Sequence, residues 1–566
     1  MGHWELVSSV VKVYGNMVIE RVKIENYKIF KSFDIKLNED LNIVVGDNET
    51  GKSTLLEAIN LALTCQVEGR NISYELSPYF FNAQTVTSFI HDLIQGKKVS
   101  PPSIVVEVFF KDSNILSKFK GSNNSERSDS CGVRIEVKLD DDYNDDYAAY
   151  ISKPQEINSI PVEYYSVLWT SFSDSKLKSV KNFPSRVSLI DTSSVRLNNG
   201  TDQYIHKTID DILTKEERAA IDIQFRKLKE SFSTQDTLLQ INTQLKAGDN
   251  PLIHDDISVM LDYSQKRSWQ ANLTTYIRNI PYQNLGKGEQ TVLKMAFALE
   301  RQGPTTSSIL LIDEPENHLS FSRLNVLLRG IQEKCIGQQL IISTHNSFVL
   351  NKLGLDRLKL INESKCLDIE DLPSDTQLYF KKLPGYDTLR LVLSSNTILV
   401  EGPSDELIVS AAYYSLNKRM PIEDGVDVLS VRGLSFKRFL DIANGLDKNI
   451  SVVRDNDGDY KKKIEDNYEK YLEAGNVKLF YDKDDSLKTL EDHIAASNEV
   501  DTLNNILEYS LKTKIEIAEQ MKSEKTSAAL KIFTRMSSED SDLEISERKH
   551  KASFKFPKYI LSCVQK

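Results

Sequence analysis

Two stretches in the C-terminal half of the chain read Thr397-Ile-Leu-Val-Glu401-Gly-Pro-Ser-Asp405 and Val452-Val-Arg-Asp455-Asn-Asp457-Gly-Asp459. Each begins with an apolar run typical of a buried strand and ends in carboxylates. Open α/β folds bind their ligands at the carboxyl edge of the sheet, so both stretches predict acidic groups at that edge. Converging carboxylates of this kind indicate a site for hard divalent cations, and Mg²⁺ prefers such oxygen ligands.

The spacing of these acids is consistent with one shared site. Glu401 ends the first strand, and Asp405 follows one helical turn later, so both side chains can face the same point. Asp455 and Asp457 are two residues apart and would share a face of a regular strand. A calcium-binding EF-hand loop would need glycine where Tyr460 stands, so we exclude that alternative. The predicted metal ligands here are therefore Glu401, Asp405, Asp455 and Asp457.

A second motif lies near the N-terminus. The apolar run Leu41–Val45 leads into Gly46-x₄-Gly51-Lys52-Ser53-Thr54, and a helical pattern follows. Strand, glycine-rich loop and helix are the context of a genuine phosphate-binding P-loop, in which backbone N–H groups surround the phosphates. Lys52 supplies a charge to the β/γ oxygens, and Ser53 is a Mg²⁺ ligand. The predicted nucleotide-binding residues of this loop are Gly46, Asn48, Gly51, Lys52, Ser53 and Thr54.

Two further apolar strands end in residues suited to nucleotide hydrolysis. Ser308–Ile312 runs into Asp313 and Glu314, which suit Mg²⁺ coordination and polarisation of the attacking water, respectively. Leu340–Thr344 runs into His345, which either senses the γ-phosphate or is a structural residue, and its place in the series favours the first role. For Glu316-Asn-His318-Leu319, a functional loop and ordinary loop polarity are equally consistent with the sequence.

The nucleotide motifs resemble the ABC-type ATPase heads of the SMC, Rad50 and RecF families. That resemblance identifies Asn284–Gln290 as the signature loop, with Gly286 and Gly288 facing the nucleotide of a partner subunit, and it implies at least a dimer. The sequence departs from the family because Gly286 replaces the usual serine and Lys287 replaces a glycine. The lost hydroxyl implies slow hydrolysis, or ATP that acts as a switch.

The paired acids of the C-terminal half resemble a Toprim domain, the metal-dependent DNA-cutting module of topoisomerases, primases and certain nucleases. An ABC-type ATPase followed by a Toprim domain is the layout of the OLD-family nucleases, which include the Gabija defence nuclease and retron-associated effectors. Val431-Arg-Gly433 fits the family's glycine-bearing strand end. The resemblance also implies that Glu491, favoured over Asp492, is a further metal ligand, and that Lys525 stabilises the phosphorane.

The expected fold class is α/β, with an ABC/SMC-like P-loop head, a helical insertion, a Rossmann-like Toprim domain and a helical C-terminal region. The expected boundaries are 1–390 for the ATPase, about 205–265 for a helical dimerisation insertion, 391–500 for the Toprim domain and 501–566 for a part that completes its site. Five scattered cysteines without a CxxC pair indicate a reduced, cytoplasmic protein. We find no signal peptide and no apolar run long enough to span a membrane.

The leading functional hypothesis is an ATP-regulated, Mg²⁺-dependent DNA endonuclease in antiviral defence, with Mn²⁺ as an alternative ion. The net charge of −11 gives no overall basic signature, although a local basic surface and an acidic metal site are compatible with it. The resemblance implies DNA as substrate and a homodimer or tetramer, working alone, with a superfamily 1 helicase, or with a retron reverse transcriptase and its DNA–RNA product. Two alternatives are a non-catalytic SMC-like scaffold and topoisomerase or primase chemistry, which needs a tyrosine nucleophile in the topoisomerase case.

Overall fold

The structure is a computed structural model, and it describes residues 17–179, 183, 186–191, 197–198, 201–202, 213–246, 259–260, 275–300, 308–334, 337–354, 357–362, 365–382, 394, 396–431, 436–473, 475–539 and 543–565. The expected boundary at 390/391, parts of the expected insertion and positions 432 and 433 lie outside these residues. Of the described helices, none is both long enough and apolar enough to cross a membrane.

The N-terminal part forms, in order, β1 Ile19–Tyr27, β2 Phe30–Lys36, β3 Leu41–Val45, α1 Lys52–Thr64, β4 Gln66–Val67, β5 Arg70–Asn71, α2 Ile72–Glu75, α3 Ala83–Ile94, β6 Ile104–Phe110, β7 Lys120–Gly121, β8 Ser130–Leu139, α4 Asn144–Ile151, β9 Tyr165–Ser171, β10 Arg186–Asp191, β11 Leu197–Asn198 and β12 Thr201–Asp202. An antiparallel sheet with the order β2-β1-β6-β8-β7 covers one side of α1, and β9 extends it from β8. Alternating burial along β1 matches a sheet with one face on the core.

The middle part forms α5 Lys215–Ser233, α6 Asp236–Lys246, β13 Tyr276–Ile277, β14 Ile280–Pro281, α7 Lys287–Glu300, β15 Ser308–Asp313, α8 Phe321–Lys334, β16 Gln339–Ser343, α9 Ser347–Leu353, β17 Leu358–Asn362, β18 Lys365–Asp368 and α10 Ser374–Lys382. Helices α5 and α6 lie within the expected insertion. Ile223, Leu228 and Phe232 are exposed on α5, which begins at a capping box between Thr214 and Glu217.

A second sheet has the order β10-β15-β16-β3-β17-β18, in which all neighbours except the β17–β18 pair are parallel. All five residues of β3 are buried, as expected for a central parallel strand covered on both faces. The parallel direction brings the ends of β3, β15 and β16 to one edge. The P-loop, the acids after β15 and His345 therefore meet there.

The C-terminal part forms β19 Asn396–Val400, α11 Pro403–Asn417, β20 Val426–Ser430, α12 Phe436–Gly445, β21 Ile450–Val453, a π-helical turn at Lys461–Glu465, α13 Asp466–Leu472, β22 Val477–Phe480, α14 Leu490–Ser497, α15 Val500–Leu507, α16 Lys514–Ser523, α17 Lys525–Ser537, α18 Ile545–Ser553 and α19 Lys558–Val564. Its sheet is fully parallel, in the order β20-β19-β21-β22. One face packs on the C-terminal helices. The other shares a hydrophobic core with the ATPase sheet, where Leu399 and Val452 join the cluster of Leu358 and Leu360.

Candidate active sites

The P-loop follows β3 and begins α1. Gly51 has a φ of 98°, and a Cβ there would overlap the Phe30 ring, so both the backbone angle and the space require glycine. The Lys52 ammonium donates to the backbone carbonyls of Gly46 at 3.0 Å and Asp47 at 2.9 Å. Burial lowers the pKa of Lys52, and the nearby Glu314 and Asp313 carboxylates oppose that shift. These acids and the P-loop lysine therefore form one electrostatic unit.

Asp313 and Glu314 are both held by the neighbouring strand. The Ser343 hydroxyl donates to Asp313, and the Glu314 amide donates to the Ser343 carbonyl at 3.1 Å. Glu314 adopts a left-handed backbone with a φ of 46°. Its Oε1 lies 3.0 Å from Nδ1 of His345, and its Oε2 accepts from Asn317 at 3.0 Å. The structure thus brings together the predicted Mg²⁺ ligand, the predicted water-polarising acid and the predicted sensor.

Glu316 is a buried carboxylate in the same loop, for which the sequence left a functional role and ordinary loop polarity equally open. Its Oε1 accepts from the Thr344 hydroxyl at 2.6 Å and from the His345 amide at 3.2 Å. Burial raises the pKa of Glu316. The sequence signal was its position two residues after Glu314, but the contact with Thr344 is tertiary and therefore could not be deduced from spacing.

The signature loop leads into α7 on the same side of the molecule. A Cβ at Gly288 would overlap the carbonyl oxygen of His318, so glycine allows these two loops to touch. Gln290 is buried and donates to the carbonyls of Tyr282 at 3.0 Å and Leu285 at 3.1 Å. These hydrogen bonds hold the start of the signature loop in place. Gly286 is exposed, and none of the described residues has an atom within 4 Å of the position its Cβ would take. This backbone is accessible to a ligand from outside.

Four carboxylates meet at the carboxyl edge of the β20-β19-β21-β22 sheet. Glu401 follows β19, and Asp405 lies in the first turn of α11, where its Oδ2 accepts from the Gly402 amide at 3.0 Å. Asp455 follows β21, and its Oδ2 accepts from the Leu490 amide at 2.9 Å. That bond brings the first turn of α14, including the buried Glu491, to the same edge.

The electrostatics of this edge are unfavourable without added positive charge. Burial and the carboxylates of Glu401 and Glu491 raise the pKa of Asp405 to about 7. Burial and the carboxylates of Asp405, Glu401 and Glu491 likewise raise the pKa of Asp455. Oε2 of Glu491 is buried and has no hydrogen-bond partner within the described part of the chain. Lys525 Nζ lies 3.7 Å from the other Glu491 oxygen, so the predicted lysine is placed beside the predicted acids.

The donor chemistry of this edge fits a hard divalent cation, because its side chains offer carboxylate oxygens and one of those oxygens has no partner among the described residues. The side chains are nevertheless not arranged to enclose an ion. Within the described part of the chain, no three His, Cys, Asp or Glu side chains are close enough to hold a metal in this geometry. A bound cation would therefore have to bring Glu401, Asp405, Asp455 and Glu491 closer to one another.

Asp457, the remaining predicted ligand, is directed elsewhere. It has a φ of 51°, so the chain turns after β21 instead of continuing as a strand. Its carboxylate lies 3.3 Å from the guanidinium of Arg454 and 3.9 Å from the ammonium of Lys463. Arg454 is in turn held by the Tyr468 hydroxyl at 2.8 Å. The structure does not bring Asp457 to the four clustered acids.

Asp492, the alternative to Glu491, is engaged in the local structure of α14. Its carboxylate accepts from the Thr489 amide at 3.2 Å and pairs with Lys522 at 2.6 Å. These contacts form a helix cap with Thr489, whereas Glu491 faces Asp405 and Asp455. The placement agrees with the choice of Glu491.

Tyr559 is a residue at this edge that sequence reasoning missed. It lies on α19, is buried, and its hydroxyl is 3.4 Å from Oδ1 of Asp455. Its ring packs edge-on against His493 with 5.2 Å between centroids. Burial raises the pKa of Tyr559 well above its usual range. A lone tyrosine near the C-terminus carries no motif, so nothing in the sequence singled it out.

Two family profiles match the chain. Residues 41–351, more than half of the 566, match a profile described as "AAA domain, putative AbiEii toxin, Type IV TA system". Residues 392–457 match "Overcoming lysogenization defect protein-like, TOPRIM domain". The chain belongs to this AAA ATPase family and carries an OLD-like Toprim domain. The chain is therefore an OLD-type ATPase–Toprim fusion, and both the predicted family and the predicted fold class are confirmed.

Several curated proteins are similar to parts or most of this chain. It is 24% identical over 464 residues to the "Retron Vc95 probable ATPase" of Vibrio cholerae serotype O1 biovar El Tor, covering 73% of this chain and 86% of that protein. Over 46 residues it is 54% identical to the "DNA double-strand break repair Rad50 ATPase" of Methanopyrus kandleri, which is 8% of this chain and 5% of Rad50. Over 107 residues it is 32% identical to Pasteurella multocida RecF, spanning 30% of that protein.

Similar solved structures include the ATP complex of the recombination mediator RecF and an SMC head bound to the winged-helix domain of ScpA. The first has a TM-score of 0.33 at 12% identity, and the second a TM-score of 0.32 at 17% identity. Each comparison covers 62% of this chain and 99% of the other chain.

Proposed function

We propose that this ATPase–Toprim fusion is a nucleotide-regulated, divalent-metal-dependent DNA endonuclease that acts as an effector of antiviral defence. The observation that carries the proposal is the convergence of Glu401, Asp405, Asp455 and Glu491 at one sheet edge, with Lys525 beside Glu491. Acids that repel one another in this way are retained in proteins when a function needs them, and strongly shifted carboxylates in a cleft mark such sites.

Each residue of this edge has a role that follows from its position. Glu401, Asp405, Asp455 and Glu491 would hold the cations, and Asp405 and Asp455 are oriented by backbone amides of Gly402 and Leu490. When bound, two divalent cations supply an activated water and stabilise the leaving oxygen of a phosphodiester. Lys525, more than half exposed, would reach the charged phosphorane from the side of Glu491. No covalent enzyme–DNA intermediate is required.

The ATPase half would regulate this chemistry. Lys52 and the P-loop amides would hold the phosphates, Ser53 and Asp313 would hold the accompanying Mg²⁺, and Glu314 with His345 would orient the attacking water. The exposed Gly286 backbone suits a nucleotide held by a second subunit, so we expect a dimer or a higher oligomer. Exposed apolar residues on α5 are consistent with a subunit contact there.

The proposal of a defence role is supported by the retron ATPase relative, since the alignment spans 86% of that protein at 24% identity. A retron reverse transcriptase with its DNA–RNA product is therefore the first partner to test, ahead of a superfamily 1 helicase. The non-catalytic scaffold is the second candidate, because the described acids do not form a closed metal site. Topoisomerase chemistry is less well supported, since Tyr559, the tyrosine at this edge, is buried and hard to ionise.

Nicking of supercoiled plasmid by the purified chain, with Mg²⁺ or Mn²⁺ and with or without ATP, tests the proposal. Cutting that requires both metal and Asp455 is the expected result. A protein that binds ATP but never cuts, even with the retron partner added, would favour the scaffold. A covalent protein–DNA adduct would instead support the topoisomerase alternative.

A further inference from the structure

The end of β17 lies between the P-loop and the Toprim domain. A Cβ at Gly46 would overlap the carbonyl oxygen of Ile361, so the P-loop backbone packs directly on this strand. β17 also pairs with β3, which carries the P-loop, as far as Leu360 and Val45. The next residue after Ile361 is Asn362, and its side-chain amide donates to the carbonyl of Leu446 at 3.0 Å. Adjacent residues of one strand thus contact both domains.

Leu446 belongs to the 445–448 turn, which joins α12 to β21. Gly445 packs on Leu367 of β18 so closely that a Cβ would lie 2.7 Å from a methyl carbon of that leucine. Asp447 pairs with Lys365, and the Lys448 ammonium interacts electrostatically with Asp47 of the P-loop. Every residue of this turn therefore takes part in, or adjoins, a contact with the ATPase half.

The turn is followed by β21, the strand that leads to the candidate metal site. β21 begins at Ile450, lies between β19 and β22, and is followed by Asp455. Because β21 has four residues and is paired along both edges, a shift of the turn would be passed to its other end. Asp455 would then move relative to Glu401 and Asp405.

The P-loop contains a group that must change partners when nucleotide binds. The Lys52 ammonium donates to Gly46 and Asp47, and a bound phosphate would compete for the same donor hydrogens. Gly46 has little room to move independently, since it is packed on Ile361. Lys52 therefore has two alternative sets of partners, the P-loop carbonyls and a bound phosphate. An element with two arrangements is what coupling between distant sites requires.

We propose that Asn362 is a positioning residue that transmits nucleotide binding at the P-loop to the Toprim strand carrying Asp455. The inference rests on the proposed function for its consequence, a change in DNA cleavage, but the coupling itself is measurable without cleavage. Asn362 is distinct from the residues that would bind either nucleotide or metal, because its side chain is directed to the Leu446 carbonyl.

Hydrogen–deuterium exchange of the full chain, with and without ATP and Mg²⁺, tests the coupling. In the wild type, we expect ATP to change exchange in peptides covering 444–453 by about fivefold or more, the lower range of allosteric coupling. Asn362→Ala should remove this change, while its Kd for ATP stays within about twofold of the wild-type value. Asn362→Asp, which keeps the volume and loses the donor, should behave in the same way.

Asn417→Ala is the matched control. Asn417 also donates its side-chain amide to backbone carbonyls, those of Tyr413 and Val564, but both lie inside the C-terminal part. This control should keep the wild-type response to ATP. The proposal would be overturned if ATP did not change the exchange of peptides covering 444–453 in the wild type. It would also be overturned if both Asn362 variants kept the wild-type change in exchange. Plasmid nicking is measured in parallel. A wild type that never nicks, even with the retron partner added, would refute the nuclease, while hydrogen–deuterium exchange still decides the coupling.

Discussion

The two acidic edges of this molecule are built from the same elements and differ in how their charge is balanced. At the ATPase edge, Asp313 is paired with Ser343, Glu314 with His345 and Asn317, and Glu316 with Thr344. Lys52 lies among them. Most of these carboxylate oxygens therefore have partners within the protein, and the exception among the described residues is Oε2 of the buried Glu316. The edge can be largely organised before nucleotide arrives.

At the Toprim edge, Asp405 and Asp455 accept from backbone amides but also lie beside other carboxylates. Both have raised pKa values, for which the neighbouring carboxylates are a cause second to burial, and one oxygen of Glu491 has no hydrogen-bond partner among the described residues. Lys525 approaches Glu491 at 3.7 Å, longer than a direct hydrogen bond. The difference is that the ATPase edge needs a ligand only for its chemistry. The Toprim edge needs bound cations to offset the repulsion between its carboxylates.

The largest expected effect comes from removing the central acid of the Toprim edge. Asp455→Asn keeps the size of the side chain but removes its charge, so plasmid nicking should fall by about 10³-fold or more if several kcal/mol of metal-dependent stabilisation are lost. ATP affinity, measured by calorimetry on the same preparation, should be unchanged because the P-loop is untouched. Retained nicking by both Asp455→Asn and Asp455→Ala would refute the site assignment.

The corresponding change at the ATPase edge should have an effect confined to the nucleotide. Lys52→Ala removes a charge-assisted bond to phosphate, so the Kd for ATP should rise by about 10- to 100-fold. Nicking in the absence of ATP should persist, since the Toprim acids keep their partners. Calorimetry gives the affinity and gel electrophoresis the nicking rate. An unchanged ATP affinity would contradict the P-loop interpretation.

The strand-end acids were predictable because two simple rules agree at Glu401 and Asp455. Apolar runs form buried strands, and parallel strands place their carboxyl ends at one edge, so acids that follow those runs must be neighbours. In the N-terminal half, the P-loop motif identified Lys52, and apolar strand ends identified Asp313 and His345. The family resemblance, and not the spacing, supplied Glu491 and Lys525, and the structure places both beside the acids.

Other features depend on contacts that the sequence pattern does not encode. Asp457 was expected on the same face as Asp455, but the backbone at Asp457 is left-handed. Its carboxylate pairs with Arg454, which is fixed by a hydrogen bond to the Tyr468 hydroxyl. Tyr559 reaches Asp455 from 104 residues further along the chain. Glu316 depends on Thr344 of another strand. In each case a tertiary contact decides the orientation, and no local rule of spacing contains it.

A smaller effect follows from the charge difference between the two edges. The pKa of Asp405, about 7 in the folded chain, lies above the value of about 3.9 expected in the unfolded chain. Between these values the folded state binds a proton that the unfolded state has lost, so stability should fall as pH rises, by at most about 1.4 kcal/mol per pH unit.

Chelator and metal should separate this effect from the rest of the protein. In EDTA, the unfolding temperature of the wild type should fall between about pH 4 and pH 7, and Asp405→Asn should reduce that fall. Mg²⁺ should also reduce it, because a cation stabilises the charged carboxylate. Scanning fluorimetry on both proteins is sufficient. If the unfolding temperature depends on pH equally in the two proteins, with or without Mg²⁺, repulsion between the Toprim carboxylates does not destabilise the folded state as predicted.

The smallest expected effect distinguishes the sequence interpretation of Asp457 from its observed position. Its contacts are a half-exposed pair with Arg454 at 3.3 Å and a longer one with Lys463, and such pairs contribute about 0–1 kcal/mol. Asp457→Ala should therefore reduce nicking by less than about fivefold, the equivalent of that energy. Asp457→Asn should be milder still, whereas Asp455→Asn in the same assay should be inactive. A loss at Asp457 as large as that at Asp455 would show that the turn after β21, with its left-handed backbone at Asp457, rearranges when metal binds and brings this carboxylate to the other acids.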